Sequence, residues 1–444
     1  MNVASETLLT DLYELTMAQA YLAQQMTGEA VFEFFVRKLP AGRNFFMAAG
    51  LEQVLAYLET FHFSEGDIDW LEQTGSFTPA TLPALRAMRF TGDVHAMPEG
   101  TVFFPHEPIL RITAPLPQAQ LVETRVMNLL NFQTMVASKA CRFVLVAGGR
   151  PLIEFGLRRS HGAEAGLLAA RASYLAGFAG TSNVLAGARF AVPTYGTMAH
   201  AFVQAHQEET EAFLHIAQAQ PRNVVLLIDT YDTEAAAEKV VALAPRLQQQ
   251  GIAIHGVRLD SGDLADHARK VRQILDRGGL TDAKILASGN LDEERVEALV
   301  RTGAPIDRFA VGTALTTSAD APYLDCAYKL QEYAGRPCRK RSEGKATWPG
   351  RKQVYRRVSR EGRMDGDTIT VEGETQPGLP LLQPVMQNGR RLAPSPSIQA
   401  IRDHARLALA ELPDALRRLD QAAPYDVRIA EALEQLAQQV DRYT

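Results

Sequence analysis

The chain has 444 residues, more than one hydrophobic core usually serves, so two domains are expected. Its 46 Lys plus Arg against 51 Asp plus Glu leave a net charge of -5, which argues against a nucleic-acid or membrane-surface partner, and no apolar run approaches the ~20 residues that span a bilayer. Cys141, Cys326 and Cys338 are too few and too unevenly spaced for a disulfide framework or a four-ligand zinc site. The first residues carry acids (Glu6, Asp11, Glu14) where a signal peptide needs a basic start, so a reducing cytoplasm is the expected location.

In chain order, Asp11 followed by Glu14 predicts a capping box that opens a helix through Ala20. Val31 to Val36 reads as a strand and Leu51 to Phe61 as a helix. Pro98, Pro105, Pro108, Pro115 and Pro117 then punctuate short strands such as Ile109 to Ile112 and mark a boundary. From there strand-like runs alternate with helix-length stretches. Ile153–Phe155, Arg189–Val192, Val224–Ile228, Ile252–Val257, Ile285–Ala287 and Phe309–Val311 are the strands; Thr233–Gln250, Leu264–Arg277 and Asp292–Arg301 are helices. The alternation predicts a parallel sheet closed as a barrel. Beyond it the stretch from Ala334 to Arg363 is strongly basic and reads as a solvated face or an anion-binding loop, with too few aromatics to stack RNA bases. The expected domains are 1–120, 121–325 and 326–444, the last completing a fold begun by the first.

The runs end in polar groups, where a parallel barrel builds its active site. Arg258-Leu-Asp260-Ser-Gly-Asp263 sets a permanent cation and two carboxylates around a turn into a helix: an Arg fork suits carboxylate or phosphate, Asp260 suits sugar hydroxyls, and Asp263 by itself reads as a helix N-cap. Gly289 and Gly312 follow the next two strands and could bring bare N–H groups to a phosphate, though each is equally a tight strand-to-helix turn. His200 closes Pro193-Thr-Tyr-Gly-Thr-Met-Ala-His200. It is a candidate base or nucleophile whose tautomer Asp229 could hold, against the commoner role of a structural histidine.

Several motifs together resemble the nicotinate phosphoribosyltransferase family: Thr10-Asp-Leu-Tyr-Glu-Leu-Thr-Met17, Phe32-Glu-Phe-Phe-Val-Arg-Lys-Leu-Pro40, Glu154-Phe-Gly-Leu-Arg-Arg159, Gly180-Thr-Ser-Asn183, Gly196-Thr-Met-Ala-His200 and Arg258-Leu-Asp-Ser-Gly-Asp263. So do Ser342-Glu-Gly-Lys-Ala-Thr-Trp-Pro-Gly350 and the tail around Leu412-Pro-Asp-Ala-Leu-Arg-Arg-Leu419. The resemblance implies an irregular α/β, TIM-like barrel with an α/β sandwich built from the N-terminal region and later strands. It also implies a homodimer with shared active sites. The implied reaction is nicotinate plus phosphoribosyl diphosphate giving nicotinate mononucleotide and diphosphate, with ATP hydrolysed alongside and Mg2+ required.

Residue by residue, the same resemblance implies that ATP phosphorylates His200 and that Asp229 orients it. Phe155 and Tyr13, the latter from the partner subunit, would sandwich the pyridine ring, and Arg258 and Ser182 would read its substituent. Arg158 would contact phosphate, Asp260 the ribose, and Gly289 and Gly312 the 5'-phosphate; Lys345, Lys352 and Arg43 are looser candidates for the diphosphate, and no Mg2+ ligands are implied. Some relatives carry a Cys-rich zinc knuckle, which this chain with its three cysteines cannot. Nicotinamide phosphoribosyltransferase is the nearest rival, but it resembles a chain with Asp in place of Ser182. Quinolinate phosphoribosyltransferase is shorter and lacks the phosphorylatable His, and a catalytically silent ligand sensor would not need His200, Asp229, Arg258 and Asp260 together.

Overall fold

The structure, a computed structural model, describes residues 6–443. The chain divides into two compact units, one formed by residues up to Ser138 with those from Tyr323 on, the other by Lys139–Pro322; the first cut falls within the helix Glu123–Val146.

The second unit is organised by six parallel strands in the order Gly180–Thr181, Leu152–Glu154, Arg308–Val311, Lys284–Ala287, Ile254–Leu259, Val224–Leu227. Val257, Ile285, Phe309 and Val311 have no exposed surface, as expected of strands covered on both faces. The sheet is of the expected irregular barrel kind, with an open ladder that Thr194 extends by a parallel bridge to Thr181. Helix starts follow local chemistry. Asp232, Asp263 and Asp292 each accept a backbone N–H two or three residues on, and Leu264–Arg277 buries Leu264, Ala268, Val271, Ile274 and Leu275, a 3.6-period stripe. The N-cap reading of Asp263 therefore holds.

The expected strand at Arg189–Val192 is not formed. Asn183 caps the Ala186 N–H and starts a helix, Val184–Phe190, that stops where Ala191 turns to a φ of +56°. A side-chain cap just upstream outweighed the apolar run.

In the first unit a seven-stranded antiparallel sheet runs Arg336–Pro337, Cys326–Tyr333, Glu29–Val36, Leu110–Pro115, Asp93–Ala96, Gln383–Gln387, Arg390–Arg391. A second sheet runs Leu379–Pro380, Lys352–Val358, Met364–Val371, Val427–Ile429. Strands from both ends of the chain thus interleave, as the sandwich requires.

One sequence expectation fails in this unit and another holds only in part. The capping box does not form: Asp11 makes no side-chain cap, and Glu14, fully buried, instead accepts the N–H and hydroxyl of Thr124 at 3.0 and 2.6 Å. Burial pushes its carboxyl up to about 7. The basic stretch is a solvated face only in part: Lys340, Arg341 and Lys345 are exposed, but several cations further along are not. Lys352 lies 4% exposed with its ammonium 2.8 Å from Glu33, Arg356 pairs with Asp367 at full burial, and Arg351 pairs with Glu29 and Glu332. A diphosphate role for Lys352 is therefore withdrawn, because removing its ammonium from Glu33 would strand a buried carboxylate. Arg43 is likewise buried, 3% exposed, whereas Lys345 is exposed. Among the described residues no helix is long and apolar enough to cross a membrane.

Candidate active site

The carboxyl ends of the parallel strands converge on Arg258. Its Nε donates to the Ser288 hydroxyl at 2.8 Å, one Nη to Asp260 Oδ1 at 2.7 Å, and the other to the Thr197 hydroxyl at 3.3 Å. The guanidinium also lies 5.5 Å from the centre of the Phe155 ring. One side chain, 15% exposed, thereby ties together groups following three separate strands and Thr197, which lies just past the Thr194 bridge. Phe155 packs with Tyr195 against Ile153, Leu286 and Ala310, and Ile153, Phe155, Tyr195 and Leu286 border a cavity of about 110 Å³ that Thr197 and Val225 also line.

Asp260 is held from three sides. The Ser288 hydroxyl donates to its Oδ1 at 2.5 Å, Arg258 to the same oxygen, and His200 Nε2 lies 3.9 Å from Oδ2. Burial pushes this carboxyl up, but Ser288, Arg258 and His200 outweigh it and hold it below the usual carboxylate range. It is thus an anion at neutral pH, suited to accept from hydroxyls.

His200 opens the short helix His200–Gln204, its side chain 40% exposed, and its Nδ1 lies 3.1 Å from the Thr230 hydroxyl. Asp229 makes no hydrogen bond to the imidazole. Its Oδ2 instead accepts the Asp260 N–H at 2.9 Å and the Ser261 hydroxyl at 2.5 Å, and its Oδ1 is buried without a partner. Asp229 therefore shapes the Asp260–Ser261 turn, while the neighbouring Thr230 contacts the histidine.

Gly289 has a φ of +91°, and a Cβ there would fall 1.9 Å from the Asp260 carbonyl oxygen. Gly312 presents its backbone at the start of the helix Thr313–Thr316, where a Cβ would meet the Phe155 carbonyl oxygen at 3.1 Å. Ser182 is half-buried, its N–H donating to the Glu154 carbonyl at 2.8 Å, and Arg158 is exposed on the turn Leu157–Arg159. Tyr13 belongs to the other unit and is 46% exposed on the helix Leu12–Ala23. Within the second unit, then, the strand ends bring Phe155, His200, Asp229, Arg258 and Asp260 into one contact network, closed against Gly289.

Ser288, Thr197, Thr230 and Ser261 join this network although the sequence reading did not single them out. Ser288, Thr230 and Ser261 each adjoin a candidate at a strand end and Thr197 lies three residues before His200, and position is the signal that would have found them.

Family models agree with this arrangement over most of the chain: the nicotinate phosphoribosyltransferase N-terminal domain matches residues 8–131, the family's main domain 151–336 and its C-terminal domain 378–437. A nicotinate phosphoribosyltransferase of Mycobacterium tuberculosis is 49% identical over 428 residues, covering 96% of this chain and 92% of the relative. The chain belongs to the nicotinate phosphoribosyltransferase family. The Bacillus subtilis enzyme of that name is 39% identical, covering 83% of this chain and 77% of its own. Among solved structures, human nicotinic acid phosphoribosyltransferase superposes with a TM-score of 0.87 at 30% identity, covering 98% of this chain and 100% of that one. A nicotinate-nucleotide pyrophosphorylase from Pyrococcus furiosus superposes with a TM-score of 0.75 at 25% identity, covering 92% and 96%.

Proposed function

We propose that this protein transfers the phosphoribosyl group of phosphoribosyl diphosphate to the ring nitrogen of nicotinate, yielding nicotinate mononucleotide and diphosphate at the entry of nicotinate into NAD salvage. ATP hydrolysis is coupled through phosphorylation of His200. The observation that carries the reading is the position of Arg258: its fork is held by Asp260, Ser288 and Thr197 with the guanidinium carbon 5.5 Å from the centre of the Phe155 ring, which sets a fixed cation beside an aromatic face, a site for a flat anion. Arg258 and Ser182 then read the ring carboxylate, Phe155 stacks on the ring, Asp260 accepts from the ribose hydroxyls, Gly289 and Gly312 cradle the 5'-phosphate, and exposed Arg158 contacts phosphate.

Breaking the bond from the anomeric carbon to diphosphate oxygen develops positive charge on the ribose while the pyridine nitrogen brings its own lone pair. No general base is needed, and the site's task is alignment and charge balance. The Asp260 carboxylate favours the cationic ribose. Among the described residues no group of three or more His, Cys, Asp or Glu could hold a metal ion, so magnesium would be held mainly by phosphate oxygens, with the partnerless Asp229 Oδ1 as the protein atom fitted to accept it. Bound so, magnesium supplies neutralisation of the leaving diphosphate.

The working form is a cytoplasmic homodimer in which Tyr13 of the partner subunit covers the second face of the ring. Exposed Leu9, Leu12 and Tyr13 at the start of the chain support an interface there.

Incubating the pure protein with labelled nicotinate, phosphoribosyl diphosphate and ATP should give mononucleotide and ADP together. Absence of mononucleotide would sink the reading; mononucleotide without ADP would remove only the coupling. A Ser182→Asp variant should lose preference for nicotinate over nicotinamide, because a second carboxylate in a poorly solvated pocket costs an anionic substrate on the order of a few kcal/mol. Competition between the two vitamers measures it, and an unchanged ratio would refute the role of Ser182.

A further inference from the structure

We infer that Glu154 is the positioning residue that sets Ser182 against the Phe155 ring and so determines the preference for nicotinate, an inference that rests on the function proposed above. Glu154 ends the Leu152–Glu154 strand and has no exposed surface. Its two carboxylate oxygens are divided between the segments that carry Phe155 and Ser182, the two walls of the proposed nicotinate pocket. Oε1 accepts the N–H of Gly156, the residue after Phe155, and Oε2 accepts the Thr181 hydroxyl at 2.5 Å. The Thr181 oxygen in turn accepts the Asn183 N–H at 3.0 Å, while the Glu154 carbonyl takes the Ser182 N–H at 2.8 Å. Ser182 is thereby gripped at its own N–H and on both flanks, and every one of these bonds leads back to Glu154.

The aromatic wall is fixed by the same residue. The Phe155 N–H donates to Val311 at 2.7 Å, and the next peptide is pinned by the Glu154 side chain, so the ring has a fixed root. Gly156 fits only without a side chain, since a Cβ would lie 2.8 Å from Glu154 Oε1 and 2.7 Å from the Thr316 side chain. Both partners of the carboxyl are neutral, so its burial carries a cost, and burial raises its pKa against the pull of Thr181 and Gly156. A core position with only packing to do would be cheaper as an apolar residue. An acid here is explained by the need for two divergent acceptors that join the walls.

The test uses Glu154→Gln, Thr181→Val, Thr181→Ser and the Glu154→Gln/Thr181→Val double variant. A glutamine keeps the shape but can meet the Thr181 oxygen only as a neutral donor, so the bond to a charged acceptor is lost, and a valine removes the hydroxyl alone. Each should raise the KM for nicotinate by roughly tenfold, the effect of one lost bond to a charged group, with the KM for phosphoribosyl diphosphate within about twofold of the parent, as a local effect confined to one subsite implies. Discrimination against nicotinamide should fall in the same proportion. Thr181→Ser, which keeps the hydroxyl, should restore the parental values, and the double variant should be no worse than the worse single one, because both cut the same link.

Additive losses, equal rises in both KM values, or unchanged nicotinate KM in a folded Glu154→Gln enzyme would overturn the inference. If Glu154→Gln does not fold, the contrast between valine and serine at 181 decides it. A parent enzyme that does not convert nicotinate at all would instead overturn the proposed function, and this inference with it.

Discussion

Replacing His200 by alanine is expected to abolish phosphoenzyme formation from ATP while a slow, ATP-independent phosphoribosyl transfer survives. The imidazole is 40% exposed, with Nε2 only 3.9 Å from Asp260 and Nδ1 engaged at 3.1 Å by Thr230. With Nδ1 donating to that hydroxyl, Nε2 keeps its lone pair and is the nitrogen available to attack a phosphate. It has no proton to take from nicotinate, whose ring nitrogen is already a nucleophile. The Asp260 carboxylate beside it would be crowded by the negative charge of a phosphorylated ring. Phosphorylation of His200 can therefore bias how Asp260 and the phosphate subsite hold substrate. Coupling of this kind is typically about 1–3 kcal/mol, a stimulation of about 5–150-fold, and the variant should lose all of it. Acid-labile label from radioactive ATP, measured beside mononucleotide formation, tests both halves. A labelled alanine variant, or one whose transfer is still stimulated by ATP, would show that His200 is not the phosphorylated group.

What the sequence made legible follows from the range of the interactions involved. Leu264–Arg277 was readable to the residue because an adjacent Asp263 caps it and its apolar stripe is local. The strand ends were readable as a site because in a parallel sheet chemistry gathers there whatever the partners are. Partners themselves were not. Asp229 and Thr230 are neighbours, and only the direction in which each side chain leaves the turn decides that Thr230 meets His200 while Asp229 meets Asp260 and Ser261. Lys352 looked like a free cation because its partner, Glu33, lies more than 300 residues away in sequence. The Arg189–Val192 run failed as a strand for the opposite reason: the cap at Asn183 is close in sequence, and the helix it starts overrides the apolar pattern. Gly289 stood between these cases. Its place after a strand was plain, but the sequence left a phosphate cradle and a tight turn equally open.

The structure gives Gly289 a sharper role, and Gly289→Ala is expected to cost both stability and turnover. At a φ of +91° any side chain is strained, and here a Cβ would fall 1.9 Å from the Asp260 carbonyl oxygen, well inside any contact that backbone can tolerate. The neighbour is a carbonyl fixed in a turn, so relief requires Asp260 or the Ser288–Gly289 turn to move by about 1 Å. Asp260 cannot move freely: its N–H is bonded to Asp229 and its carboxylate to Ser288 and Arg258. A shift on that scale at a positioning group is enough for about a 100-fold loss in kcat/KM. Gly303→Ala supplies the control, because Gly303 also has a positive φ, +64°, but nothing within 4 Å of the added carbon. It should pay only the backbone strain of about 1 kcal/mol and keep full activity. Thermal unfolding and steady-state kinetics on both variants separate the terms. Equal behaviour of the two would mean that the close approach of residue 289 to Asp260 plays no part in catalysis, whereas a large kinetic loss confined to Gly289→Ala would tie turnover to the position of the Asp260 carboxylate.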